Sequence, residues 1–353
     1  MKALILSGGT GTRLRPLTYT NAKQLIPVAN KPILYYIIEK ISKVGIEDVG
    51  IIVGDTHQEI KIAVGNGNRW GIRTTFIHQP FPLGLAHAVK TASSFIGDSD
   101  FIMILGDNLF QMELDEIINN FYLNNSNASL LLHRVDNPSE FGVAVVENGR
   151  IVKLVEKPED FISDLIVTGV YVFDKSIFNA ISHINPSPRG ELEITDAIQK
   201  LLEMGGKVSY TLTSGWWKDT GKICDVLEAN RLILDSPDGI AGSSCVLGTL
   251  FNNRIHMGQN VTVENSVIQG PAVIGDDAVI TGSCIGPYTS VGKRVEIINS
   301  HIENSIVLDN TKVENIGKKI SGSLIGKNVT IKNSKSGQDS LSFLLGDDSK
   351  IAM

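Results

Sequence analysis

The chain has 353 residues, is 42% hydrophobic and 20% charged, and carries a net charge of −6. At roughly 150 residues per domain this predicts about two globular domains with a sizeable core, and the acidic balance offers no electrostatic footprint for a nucleic acid. No run of about 18 apolar residues occurs, so no membrane span is expected, and the apolar run after Met1 is too short for a signal peptide. Cys224, Cys245 and Cys284 form no CxxC pair and cannot all pair within one chain. That pattern predicts a reduced, cytoplasmic chain without a zinc site.

The first half alternates short apolar strands with helical stretches. In chain order, Ala3–Leu6 reads as a buried strand, Ile33–Val44 as a helix, Val49–Val53 as a strand, Leu85–Phe95 as a helix and Phe101–Leu105 as a strand. Strands follow at Ser129–His133, Val143–Val146, Ile151–Val155, Val170–Phe173 and Val208–Leu212, and a helix at Ile223–Leu234 closes the half. Strands separated by helices imply βαβ units and a mostly parallel sheet with helices packed on it. Ser236-Pro237-Asp238-Gly239 is a turn signal and a candidate boundary, giving domains 1–235 and 236–353.

Beyond that turn the period changes. Ile255, Val261, Val267, Val273, Val279, Ile285, Val291 and Ile297 recur at an interval of six; the register slips at Glu303 and resumes weakly at Ile325 and Ile331. A six-residue period predicts a parallel β-helix with these positions pointing inward. The open ends and flat faces of such a solenoid predict self-association into a homo-oligomer. The tail after Gly337 is expected to be loose.

Strand Ala3–Leu6 runs into Ser7-Gly8-Gly9-Thr10-Gly11-Thr12-Arg13. Glycines after a strand let the backbone turn and aim N–H groups at phosphate oxygens. No Gly-Lys-Ser/Thr follows, and the spacing differs from the dinucleotide fingerprint. Arg13 and Lys23 put two cations beside this loop, each of which taken alone reads as a solvated surface charge. Asp107 follows the strand Phe101–Leu105, at the edge where open α/β sheets bind ligands. Asp219, in Trp216-Trp217-Lys218-Asp219-Thr220-Gly221, is a second carboxylate; it reads either as a metal ligand or as the cap of the helix that follows. Two such carboxylates suit one Mg²⁺, which also takes water and phosphate oxygens.

The run Gly8 to Thr18, followed by Lys23-Gln24-Leu25-Ile26-Pro27-Val28 and Lys31-Pro32, resembles the sugar nucleotidyltransferases, most closely the glucose-1-phosphate thymidylyltransferases in their long form. The resemblance implies an α/β fold, a Rossmann-like mostly parallel sheet with helices on both faces, followed by a left-handed parallel β-helix of hexapeptide repeats. It implies Mg²⁺-dependent formation of dTDP-glucose and pyrophosphate from dTTP and glucose 1-phosphate. UTP in place of dTTP, or a second acetyl-transfer activity in the β-helix, remain open alternatives.

The same resemblance implies roles for residues. Gly8, Gly9, Gly11, Thr12, Gln24, Gln79 and Gly84 would bind the nucleotide, with Gln79 reading the base edge. Arg13 and Lys23 would serve the triphosphate, and Asp107 and Asp219 the metal. Gly142, Glu156 and Val167 would bind the sugar, and Lys157 its phosphate. The family's short form ends in helices that help build a second, regulatory nucleotide site. Here the β-helix stands in their place, which puts product inhibition in doubt.

Overall fold

The structure, a computed structural model, describes residues 1–54, 57–236, 250–252 and 254–333. Most of the expected boundary turn and the tail after Gly337 lie outside the described residues. By mutual contact the chain falls into two compact units. The first comprises Met1–Thr10, Asn21–Leu25 and Ile33–Asp219; the second comprises Gly11–Thr20, Ile26–Pro32 and the chain from Thr220 onward. No helix among the described residues is long and apolar enough to cross a membrane.

The first unit is built on a nine-stranded sheet. Its strands are β1 (Lys2–Ser7), β2 (Asp48–Val53), β3 (Arg73–His78), β4 (Phe101–Leu105), β5 (Ala128–Arg134), β6 (Gly142–Glu147), β7 (Arg150–Glu156), β8 (Leu165–Phe173) and β9 (Val208–Leu212). β1 pairs in parallel with β2 and β4, and β2 with β3. Beyond β4 the sheet becomes mixed: β8 runs antiparallel to β4, β5 and β6, while β9 is parallel to β5.

The helices of this unit are α1 (Ile33–Lys43), α2 (His57–Val64), α3 (Leu85–Thr91), α4 (Ser93–Ile96), α5 (Leu114–Leu123), α6 (Ser176–Ile181) and α7 (Ile194–Glu203). Side chains alternate across a strand, and here both faces are covered. Leu4, Leu6, Phe101 and Met103 pack with Val89, Ile177 and Ile198 on one face. Ala3, Ile5, Ile102 and Ile104 pack with Ile37, Ile41 and Ile117 on the other. This two-sided burial is why the strands read as continuous apolar runs. The single helix expected over 85–95 is broken at Ala92. There Thr91 Oγ1 donates to the His87 carbonyl at 2.8 Å, a back-bond that competes with regular helix.

The second unit contains α8 (Ile223–Asp235), a two-strand hairpin of Pro27–Val28 and Lys31–Pro32, and the β-helix. Among the described residues, fifteen short strands stack in three parallel five-stranded sheets, the arrangement of the expected left-handed β-helix. The coil is shorter than a strict six-residue period requires. Val267 pairs with Cys284, and Cys284 with His301, seventeen residues on each time. The interior therefore advances in steps of six and five: Ile268, Ile274, Ile280, Ile285, Val291, Ile297, Ile302, Val307 and Val313 are all fully buried.

Of the eight positions expected inside, Ile285, Val291 and Ile297 occupy that interior row, Val261 is buried in the same core and Ile255 packs against it. Val267 and Val279 are half-buried, and Val273 faces Ala29 and Leu234 instead. Two of the corners are stacked rows of matching residues. Asn260, Asp277, Arg294, Asn310 and Asn328 stack with left-handed backbone, a conformation asparagine tolerates better than most residues. At another corner Ser266 Oγ accepts the Ser283 N–H at 3.0 Å, and Ser283 Oγ the Ser300 N–H at 3.1 Å.

The register makes a test. Ile280→Ala should destabilise the β-helix by about 2–5 kcal/mol, as buried truncations do, and the half-buried neighbour Val279→Ala by about 1 kcal/mol or less. Urea unfolding of both variants measures the difference; a larger loss from Val279→Ala would put the six-residue frame inside.

Candidate active site

Parallel pairing brings several loops to one edge of the first unit. Ser7 lies opposite Val53, and Val53 opposite His78, so Gly8, Gly54 and Gln79 all leave the sheet at its carboxyl edge. A β-carbon on Gly8 would lie 3.2 Å from Gln79 Oε1. Gln79 Nε2 donates to the Gly84 carbonyl at 3.3 Å and lies 2.9 Å from His87 Nδ1. Burial, then the nearby Lys90, lower the His87 pKa, which favours the neutral ring as acceptor. Gly84 has φ 101 and lies against the Leu192 backbone, where any side chain would collide. Leu192 N–H donates to the Leu83 carbonyl at 2.8 Å, and Ala86 N–H to the Leu192 carbonyl at 3.0 Å. Gly8, Gln79 and Gly84 are thus brought together.

Gly9 is exposed with open space around it. Gly11, Thr12 and Arg13 belong to the second unit. Gly11 has φ 64, and its carbonyl accepts both the Leu14 N–H and Thr18 Oγ1, at 3.0 and 2.7 Å. This tight turn leaves Thr12 and Arg13 exposed.

The carboxylates meet through a ribbon that sequence spacing does not reveal. Asn108–Phe110 pairs antiparallel with Trp217–Asp219, setting Asp219 opposite Asn108 and so beside Asp107. The Lys23 ammonium bonds Asp107 Oδ2 and lies 3.9 Å from Asp219 Oδ1. The capping position of α8 is held by Lys222, whose N–H is taken by Asp225 Oδ2 at 3.0 Å. Two hard oxygen ligands already facing one cation suit a divalent ion that keeps water and takes phosphate oxygens. Around them Ser7 Oγ, Gln24 Oε1 and Asn108 Oδ1 are buried with no hydrogen-bond partner among the described residues. A buried group left unpaired costs about 1–3 kcal/mol, and a bound ligand's hydroxyls could satisfy these three.

The sugar-side candidates form a second cluster. Glu156 pairs with Gly142 across β6 and β7. A β-carbon on Gly142 would fall 2.6 Å from Thr195 Cγ2, 3.1 Å from Glu156 Oε2 and 3.9 Å from Val167 Cγ2. Thr195 Oγ1 donates to Glu156 Oε2 at 3.1 Å. Lys157 is exposed on a left-handed turn with φ 42, its N–H donating to the Phe141 carbonyl at 3.0 Å. At the pairing shift in β8, Gly169 has φ 83 and packs against Leu105 and Asn108 with no room for a side chain. Trp217 Nε1 donates to the Thr168 carbonyl at 3.0 Å, which ties this shift to the carboxylate ribbon.

Arg189 joins the same cluster without having been legible in the sequence. Its Nη2 donates to Glu193 Oε1 at 2.7 Å and to Glu156 Oε1 at 3.3 Å. Nothing in the spacing of Ser187-Pro188-Arg189-Gly190 announces a partner 33 residues earlier.

Burial, and then the Glu193 carboxylate, push the Glu156 pKa up. The ionised form is therefore penalised in the folded state, so Glu156 weakens the fold above its raised pKa and ceases to do so as pH falls through it. Glu156→Gln removes that penalty at neutral pH while losing a charged acceptor. Unfolding free energy at pH 7.5 should stay level or rise, whereas KM for a sugar phosphate should rise about tenfold. Urea titration and steady-state kinetics measure both; a strongly destabilised variant would contradict the electrostatic reading.

Residues 2–236 match the nucleotidyl transferase family. A glucose-1-phosphate thymidylyltransferase of Streptomyces antibioticus is 46% identical over 353 residues, covering 99% of each chain. Its counterpart from Streptomyces griseus is 44% identical over 356 residues, again covering 99% of each. A Bacillus anthracis structure, described as a glucose-1-phosphate thymidylyltransferase in complex with a sucrose, has a TM-score of 0.64 and 37% identity over 68% of this chain and 97% of that one. With a family match over well more than half its length and relatives aligned end to end, the chain belongs to the nucleotidyl transferase family.

Proposed function

We propose that this chain is a glucose-1-phosphate thymidylyltransferase, joining the thymidylyl group of dTTP to glucose 1-phosphate and releasing pyrophosphate, with Mg²⁺ held by Asp107 and Asp219. The observation that carries the reading is the Lys23 ammonium set between those two carboxylates, at the sheet edge that also bears Gly8 and Gln79. The end-to-end thymidylyltransferase relatives support the choice of substrates.

In the reaction, a phosphate oxygen of the sugar phosphate attacks the α-phosphorus in line, and the bond to pyrophosphate breaks. The attacker is already an anion at neutral pH, so no general base is required. Catalysis then rests on positioning two anions and offsetting their charge. Arg13, exposed on its turn, would bind the triphosphate, with Gly8, Gly9, Gly11 and Thr12 offering backbone approach. Gln24 would meet the deoxyribose, Gln79 the base, and Gly84 would admit it closely. Gly142, Glu156 and Val167 would hold the sugar, and Lys157 its phosphate. When bound, Mg²⁺ would supply further charge neutralisation on phosphate oxygens. Cytoplasmic residence and self-association through the β-helix belong to the same proposal; light scattering on the full chain checks the second, and a monomer would refute it.

Pyrophosphate release across dTTP, UTP and a panel of sugar 1-phosphates tests the substrates. The greatest kcat/KM is expected for dTTP with glucose 1-phosphate, and a preference for UTP would overturn the choice of nucleotide. Asp107→Asn and Asp219→Asn should each lower kcat by about 10²-fold or more. Excess EDTA should abolish activity, and full turnover in its presence would sink the metal assignment. Lys157→Ala should raise KM for the sugar phosphate with little change for the nucleotide.

A further inference from the structure

Asn230 lies on α8 with no exposed surface. A buried amide must find hydrogen bonds or destabilise the fold, and this one finds three. Its Oδ1 accepts the Ala29 N–H at 2.8 Å and Ser290 Oγ at 2.6 Å. Its Nδ2 donates to the Tyr288 carbonyl at 3.0 Å. One side chain therefore ties together three segments of the second unit: α8, the hairpin over 27–32 and the β-helix. Ala29, Leu234 and Val273 form a small apolar core beside it. Asn30 Nδ2 adds a bond of 2.6 Å to the Val291 carbonyl.

The hairpin held this way is strained. Its two turn residues, Ala29 and Asn30, have φ 47 and 61. A two-residue turn with both φ positive twists correctly for a hairpin, and asparagine tolerates the conformation, but alanine does not. A residue stays in such a region only where its surroundings over-determine it. The clamp on the Ala29 N–H is that determinant. The chain just before the hairpin is Lys23-Gln24-Leu25, whose lysine faces Asp107 and Asp219.

We infer that Asn230 is a positioning residue for nucleotidyl transfer: by clamping Ala29 to Ser290 and Tyr288, it sets the hairpin that continues the chain from Lys23 and Gln24. The inference rests on the reaction proposed above. It makes the β-helix a support for the hairpin in addition to any role in assembly. Asn230 touches no candidate substrate group, so its effect should reach the nucleotide side through Lys23 and Gln24 and leave the Glu156 cluster unmoved.

The test uses full-length Asn230→Ala and Ser290→Ala, with circular dichroism and melting curves confirming folded protein at the assay temperature. Pyrophosphate release is measured with dTTP varied at saturating glucose 1-phosphate and Mg²⁺, and then the reverse. Asn230→Ala should lower kcat/KM for dTTP about tenfold and Ser290→Ala about threefold, with KM for glucose 1-phosphate changed by less than about twofold. Folded variants with wild-type kcat/KM for dTTP would overturn the inference, as would equal losses for both substrates, which mark general loosening. Should Asn230→Ala fail to fold, Ser290→Ala, which loses a single hydroxyl, decides by the same measure. A wild-type protein releasing no pyrophosphate from any pair would overturn the proposed function and this inference with it; variants matching an active wild type overturn the inference alone.

Discussion

The site depends on one short pairing: three residues after the strand ending at Leu105 lie antiparallel to Trp217–Asp219. That ribbon brings two carboxylates from distant parts of the chain to one ammonium. Like charges so close would repel without a cation between them, and Lys23 supplies one. The surrounding backbone is shaped for the same purpose. Gly106 and Gly169 stand where a β-carbon would collide with Ser7 and with Leu105 or Asn108. The close packing keeps the ribbon seated, and Ser7, Gln24 and Asn108 each keep a buried polar atom with no partner among the described residues.

The cluster around Glu156 uses the opposite arrangement of charge. Here one guanidinium, Arg189, serves three carboxylates, Glu156, Glu191 and Glu193. Burial and mutual repulsion raise the pKa of Glu156, and burial with Glu193 raises that of Asp196. Such strain on ionised groups is common where recognition needs a charged acceptor in a partly dry place. Thr195 and Arg189 offset part of it by hydrogen bonding to the ionised form.

The β-helix solves a different problem. It stacks backbone on backbone, so each corner must turn in about the same space, and stacked left-handed asparagines with a serine ladder meet that requirement. Its outer surface carries Val273, Tyr288 and Ser290 against α8 and the hairpin. These bonds hold Ile26–Pro32 within the second unit.

Much of this was legible in the residue order. Continuous apolar runs marked the buried strands because both sheet faces are covered. The glycine loop after β1 and Asp107 after β4 could be singled out because chemistry at a strand end reads locally, whereas the blocks around Gln79, Glu156 and Lys157 stood out only through the family resemblance. The short-period β-helix also reads locally, since each side of a coil is only five or six residues. Tertiary structure alone decided the inward register, because a coil of seventeen lies too near three sixes for eight Ile/Val positions to separate the two. It alone brought Asp219 to Lys23, Arg189 to Glu156 and Asn230 to Ala29, the last 201 residues apart. Those partners are chosen by how strands cross and elements pack over long separations, and a one-dimensional pattern carries no record of that choice.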